Sequence, residues 1–339
     1  MTVQLSRKGL IAEQSILYLS RTDVLSCLSD QWEAAILAVS DAYRSHAEGD
    51  VNLPKAEYLK YNGRPSYDRI IPLLGYLGGE FNVSGLKQIC SSTDNIGRGF
   101  PRASGLIIMN EPESNRPYCI MEGAEISAMR TAAVTGLALG ALAEPSKSQA
   151  IALLGCGTLA TAHLSMLASR GFAGRASLRI HDPNRERTDR LASAARERGF
   201  AVECCATPIE AVRGAEIIIP MTTAEEPYLR ADALGPRWIY SAVSLLDAQL
   251  DIYEAAELII VDDIRQSIAE GRPLDRLSKA GKLPSSKMVE IGKWLSGPRT
   301  KVGDRVLFNP MGTVITDLAV ASLAFKRALE RDLGTRLSV

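Results

Sequence analysis

Lys87 and Arg130 stand among neighbours that make a charged side chain expensive. Lys87 lies in Val83–Ile89, a segment with strand character, and Arg130 interrupts a helical stretch rich in Ala, Met, Val and Leu. A buried lysine is rare and needs a partner or a function. A guanidinium in an apolar helix suits a carboxylate, which it grips through a bidentate fork. For each residue a structural ion pair is the competing account. Arg102, in Arg102–Gly105, adds a third cation to the same part of the chain.

A second constellation follows. Gly155–Ala160 reads G-x-G-x-x-A between a short apolar strand and a helix, the pattern that holds a dinucleotide pyrophosphate. Gly155 allows the tight turn and Gly157 lets the backbone approach the phosphates. Thr158 and Leu159 then open a helix whose free N–H groups and dipole attract an anion. Asp182 ends the next strand, 27 residues after Gly155, where a carboxylate accepts both ribose hydroxyls and repels a 2′-phosphate. NAD is therefore the expected cofactor, with Arg185 and Arg187 keeping NADP open. Thr222 and Thr223 follow the strand Ile217–Ile219, at a carboxyl end that lines the ligand crevice of a doubly wound sheet. Solvated turn threonines are the alternative there.

Composition removes other chemistries. The chain has 339 residues with 39 basic and 39 acidic side chains, so no net charge draws it to nucleic acid or to an anionic membrane. Its three histidines do not pair at metal-ligand spacing, and its six cysteines form no C-x-x-C; no metal is expected. Histidine is scarce, and His163 is expected to pack. No apolar run reaches the ~18 residues of a membrane span. The first residues lack a secretory pattern, so a cytoplasmic protein is expected.

Periodicity supplies the elements that must position these groups. One helix is expected from Thr22 to Ala47, then a largely antiparallel sheet to about residue 125, with a hairpin around Glu111–Pro117. A helix covers Ala124–Leu142. From Ser148 onward strands alternate with helices, which argues for a parallel sheet with right-handed crossovers. A last helix, Thr313–Leu333, lies outside that alternation. The expected class is thus α/β: a Rossmann domain plus an α+β domain.

Taken in order, G-L-K at Gly85–Lys87, A-S-G-L-I-I-M-N at Ala103–Asn110, M-R-T-A-A at Met129–Ala133 and L-L-G-C-G-T-L-A at Leu153–Ala160 form a recognisable series. With V-D-D at Val261–Asp263 and F-N-P-M-G at Phe308–Gly312, it resembles the ornithine cyclodeaminase/mu-crystallin superfamily from about Leu17 to Leu337. Leu17–Asp23, Asp68–Ile71, Ser241–Asp247 and Leu307–Gly312 look like one branch, the dehydrogenases that form 2,3-diaminopropionate.

The resemblance implies a Rossmann domain at 131–312 and a substrate-binding and dimerisation domain at 17–130 with 313–339, preceded by an extension at 1–16. It implies a homodimer, a site between the domains and a small amino-acid-derived substrate. That substrate is N-(1-amino-1-carboxy-2-ethyl)-L-glutamate, oxidised with NAD and hydrolysed to supply a siderophore or peptide-antibiotic pathway. Lys87 matches the catalytic lysine and Arg130 the arginine on the α-carboxylate. Arg69 and Arg102 fall in segments assigned to the other carboxylates, and Ser241, Val243 and Gly312 join the cofactor-binding set. Cyclodeaminases place an aspartate where Val243 stands, so ornithine cyclisation is disfavoured. Asp247, four residues on, is either a second acid–base candidate or an acid at a helix start. An amino-acid or imine dehydrogenase and a non-enzymatic ligand binder remain as rivals.

Overall fold

The computed structural model describes residues 6–65, 68–147, 149–269, 271–297 and 303–338. Ser6 caps a short helix α1 (Arg7–Ala12) that buries Leu10, and β1 (Ser15–Leu19) follows. Within the stretch expected to be an extension, residues 6–16 therefore carry a helix and the start of a strand. One turn and a half of helix is too short to show periodicity.

Helices α2 (Arg21–Leu28) and α3 (Trp32–Glu48) replace the single expected helix. Asp30 takes a φ of 57°, which no right-handed helix accommodates. The apolar spacing runs on through the break, so periodicity alone joins the two. Strands β2 (Val51–Asn52), β3 (Leu59–Lys60), β4 (Arg69–Leu77), β5 (Val83–Ser91), β6 (Ala103–Asn110) and β7 (Pro117–Glu122) come next. The expected hairpin is β6–β7, and α4 (Ala124–Leu142) begins where the sequence places it.

Alternation then starts. Strands β8 (Ala150–Leu154), β9 (Ser177–His181), β10 (Ala201–Cys204), β11 (Ile217–Pro220), β12 (Trp238–Ser241), β13 (Leu258–Val261), β14 (Met288–Glu290) and β15 (Arg305–Asn309) are joined by helices. These are α5 (Thr158–Ser169), α6 (Arg185–Glu197), α7 (Pro208–Val212), α8 (Leu250–Ala255), α9 (Ile264–Ser267), α10 (Pro273–Lys279) and α11 (Ile291–Ser296). Helix α12 (Val314–Glu330) and β16 (Thr335–Ser338) end the described chain.

The chain packs as two units, residues 1–130 with 313–339, and residues 131–312. In the first, the sheet runs β16-β1-β7-β6-β5-β4-β2, with β3 on β4. Pairing is antiparallel except for β1 on β7. One face of this sheet receives α12, and the approach is close: a Cβ on Gly85 would sit 2.6 Å from Leu318 Cδ2. Along β5 the same face carries Val83, Gly85 and Lys87, all buried. The second unit is an all-parallel sheet ordered β10-β9-β8-β11-β12-β15-β13-β14. Its order reverses between β8 and β11, the switch point where such sheets open a crevice at their carboxyl ends. Short, fully buried apolar runs such as Ile217–Ile219 suit strands covered on both faces.

Candidate active site

In the first unit the lysine and arginine meet at an acid. Lys87 Nζ lies 2.7 Å from Asp317 Oδ2, and Arg130 Nε donates to Asp317 Oδ1 at 3.0 Å. Ser127 Oγ accepts long hydrogen bonds from Lys87 Nζ at 3.5 Å and Arg130 Nη2 at 3.4 Å. Lys87 is 2% exposed and Asp317 is fully buried. Asp317 stands in the first turn of α12, where the helix dipole favours a negative charge. Two cations against one anion leave the trio with one excess positive charge when Lys87 is protonated. Burial lowers the Lys87 ammonium from 10.5 to about 8; the Asp317 carboxylate opposes that fall and the Arg130 guanidinium adds to it.

Asp317 escaped the sequence reading. Its signal is the one that singles out Arg130: a lone charge in an apolar helical run, here Val314–Ala324. Arg69 opens β4 and stacks on the Tyr58 ring at 5.7 Å. It shares a face with Leu73, the register partner of Lys87, but four residues away, or ~13 Å along a strand. Arg102 immediately precedes β6, and its carbonyl accepts from Ser92 N–H at 2.9 Å. The structure thus groups Lys87 with Arg130 and sets Arg69 along the same sheet face.

In the second unit the glycine loop has the required shape. Gly155 has φ +86°, and a Cβ there would come within 2.6 Å of Met221 O. At Gly157 the space is open, and α5 begins on it with no side-chain cap. First-turn N–H groups left without a side-chain cap fit a pyrophosphate. Asp182 Oδ2 accepts from Cys156 N–H and Oδ1 from Asn184 N–H, both at 2.8 Å. Each oxygen keeps a second lone pair for a ribose hydroxyl. Thr158 is exposed and Leu159 half-buried, with the Leu159 carbonyl against His163 Nδ1 at 2.8 Å. His163 is fully buried, and burial lowers its imidazole to about 4, so it packs as a neutral ring.

Three expected contacts turn inward. Ser241 is fully buried and bonds Thr135 Oγ1 at 3.2 Å, which in turn meets His163 Nε2 at 3.1 Å. Its hydroxyl fastens β12 to α4. Asp247 is likewise committed. It is 1% exposed and accepts from Thr222 Oγ1, from Ser244 Oγ at 2.5 Å and from Tyr228 OH at 2.9 Å. It does not cap a helix, since Gln249 precedes α8. The Thr222 hydroxyl is used here, while Thr223 is exposed. Val243 is half-buried and donates its N–H to Ser241 O at 2.8 Å.

Gly312 has φ +85°. Asp262 holds its loop, accepting from Gly312 N–H at 2.8 Å and from Met311 N–H at 3.0 Å. Asp262 was visible in V-D-D but carried no assigned role, because its partners lie about fifty residues on. Among the described residues, Glu203, Cys205 and Glu210 could together face a metal ion. Both carboxylates are already engaged, Glu203 with Arg179 at 2.5 Å and Glu210 with Ala206 N–H at 2.8 Å.

A model of the ornithine cyclodeaminase/mu-crystallin family matches residues 16–332. The chain is 30% identical over 335 residues to N-((2S)-2-amino-2-carboxyethyl)-L-glutamate dehydrogenase of Staphylococcus aureus, covering 96% of this chain and 99% of that protein. Alanine dehydrogenase of Archaeoglobus fulgidus is 25% identical over 95% of this chain and 98% of its own. Of solved structures, CmnK superposes with a TM-score of 0.84 at 27% identity, covering 96% of this chain and 99% of that one. An archaeal alanine dehydrogenase dimer with bound NAD gives 0.82 at 25% identity, over 95% and 99%.

Proposed function

The chain belongs to the ornithine cyclodeaminase/mu-crystallin family, and on that premise we propose that it is an NAD-dependent dehydrogenase of N-((2S)-2-amino-2-carboxyethyl)-L-glutamate. The substrate, NAD⁺ and water give L-2,3-diaminopropionate, 2-oxoglutarate, NADH and a proton. The observation that carries this reading is the Lys87–Asp317–Arg130 trio, which sets a buried lysine able to exchange a proton beside an arginine able to take a carboxylate. Full-length likeness to the staphylococcal dehydrogenase supports the choice of substrate. Val243, standing where cyclodeaminases have an acid, supports it against ornithine cyclisation.

NAD supplies a hydride acceptor when bound, and Gly155, Gly157, the first turn of α5 and Asp182 would hold it. In this reading Arg130 takes the α-carboxylate of the glutamate half, with Arg69 and Arg102 serving the remaining carboxylates. Loss of hydride from the glutamate α-carbon leaves an imine that water attacks. Lys87, with its proton affinity lowered by burial, accepts the proton of the attacking water and returns it to the departing amine. Collapse of the carbinolamine breaks the C–N bond.

The sheet face opposite α12 carries Leu74, Leu86, Ile108 and Ile120 in one register row, and Leu74 and Leu106 on it are exposed. An apolar row of this kind supports a homodimer paired through that sheet. Six free cysteines support a reducing, cytoplasmic setting. The diamino acid product suits siderophore or peptide-antibiotic assembly. Deuterium placed on the glutamate α-carbon tests the reading. It should be recovered at C4 of the reduced nicotinamide; unlabelled NADH from this substrate overturns the assignment of the oxidised carbon.

A further inference from the structure

Asp317 is a fully buried charge to which the reaction as written gives no task. Its two oxygens bridge cations from two different elements, Lys87 of β5 and Arg130 of α4, while it stands on a third, α12. Among the described residues, the charged and polar groups facing Lys87 are Asp317 from α12 and Arg130 and Ser127 from α4. The neighbouring strands place Leu73 and Ile107 beside it, and neither titrates. Asp317 is therefore the anion that offsets the neighbouring guanidinium and the loss of water around Lys87. Without its charge, an ammonium buried next to an arginine sheds its proton more readily.

We propose that Asp317 is a positioning residue that holds Lys87 Nζ in place and sets the pH range over which Lys87 exchanges a proton. This deepens, and rests on, the assignment of Lys87 as the acid–base group. Asp317 is fully buried and acts on proton exchange through Lys87.

The test is a titration of the full-length protein followed by carbon-13 NMR of labelled lysine, with the Lys87 signal assigned by its absence in Lys87→Met. In the wild type the Lys87 midpoint should lie near 8. In Asp317→Asn it should fall by a pH unit or more, roughly a tenfold or greater loss of proton affinity. Asp317→Glu should return it toward the wild-type position. The rise of kcat/KM with pH should move the same way in each variant, which loss of packing alone does not cause. An unchanged Lys87 midpoint in Asp317→Asn overturns the proposal. If that variant does not fold, labelled aspartate in the wild type decides: the Asp317 carboxyl carbon should show an inflection at the Lys87 midpoint, and its absence is equally fatal. The titration needs no substrate. Normal turnover by Lys87→Met would remove Lys87 from the mechanism and leave the electrostatic coupling standing.

Discussion

Exchanging Lys87 for methionine removes the ammonium and keeps an unbranched side chain in the space. Burial lowers the Lys87 ammonium from 10.5 to about 8, so the unfolded chain holds that proton more tightly than the folded one. Keeping Lys87 charged therefore costs stability. The cost is present in full below pH 8 and disappears as pH rises toward 10.5. At ~1.4 kcal/mol per tenfold in proton affinity, it amounts to about 3 kcal/mol. Between pH 7 and pH 10 the wild type should accordingly gain about 2–3 kcal/mol relative to Lys87→Met. Other titrating groups are common to both proteins and cancel in the difference. Urea unfolding at the two pH values, at fixed ionic strength, measures it. Parallel pH dependence of the two proteins would show that Lys87 is not destabilised as an ammonium, and the physical reason for its acid–base role would be lost. The same variant should lose turnover by roughly a hundredfold or more, the scale of general acid–base catalysis, with its NADH affinity unchanged.

The two glycines of the cofactor loop should separate folding from binding. Gly157→Ala adds a Cβ into open space, so it should keep stability within about 1 kcal/mol while weakening NADH binding roughly tenfold or more, about 1.4 kcal/mol, by fluorescence titration. Gly155→Ala, at φ +86° and against Met221 O, should itself destabilise by about 1–3 kcal/mol. Asp247→Asn removes an acceptor from among three hydroxyl donors and should cost about 1–3 kcal/mol of stability with kcat falling less than tenfold. A collapse of kcat at unchanged stability would return Asp247 to the chemistry. For the wild type, kcat/KM should rise between pH 6 and pH 9 with a midpoint near 8, and a flat profile counts against Lys87.

What the sequence shows and what it hides divide along physical lines. The glycine loop, Asp182 and the buried strands of the second unit are legible because backbone shape and burial impose residue type directly. Arg130 and Lys87 are legible as misfits among apolar neighbours. Asp317 is the same kind of misfit, but its partners lie 187 and more residues away in sequence, and periodicity carries no information about such pairing. Strand β10 is missed because Ala201–Cys204 is short and mostly exposed. The break at Asp30 is missed because a single left-handed residue leaves the apolar spacing intact. Ser241 ends β12, Thr222 follows β11 and Asp247 lies in the loop after β12, yet all three side chains turn inward. At a strand end the direction of a hydroxyl is decided by which buried partner it finds, and that is a property of the packed structure.

One assay stands above the rest. Purified protein is mixed with NAD and N-((2S)-2-amino-2-carboxyethyl)-L-glutamate, absorbance is followed at the NADH wavelength, and the products are analysed. NADH, 2-oxoglutarate and 2,3-diaminopropionate should form in equal amounts. No NADH with this substrate, together with turnover of ornithine or alanine under the same conditions, would contradict the proposed activity.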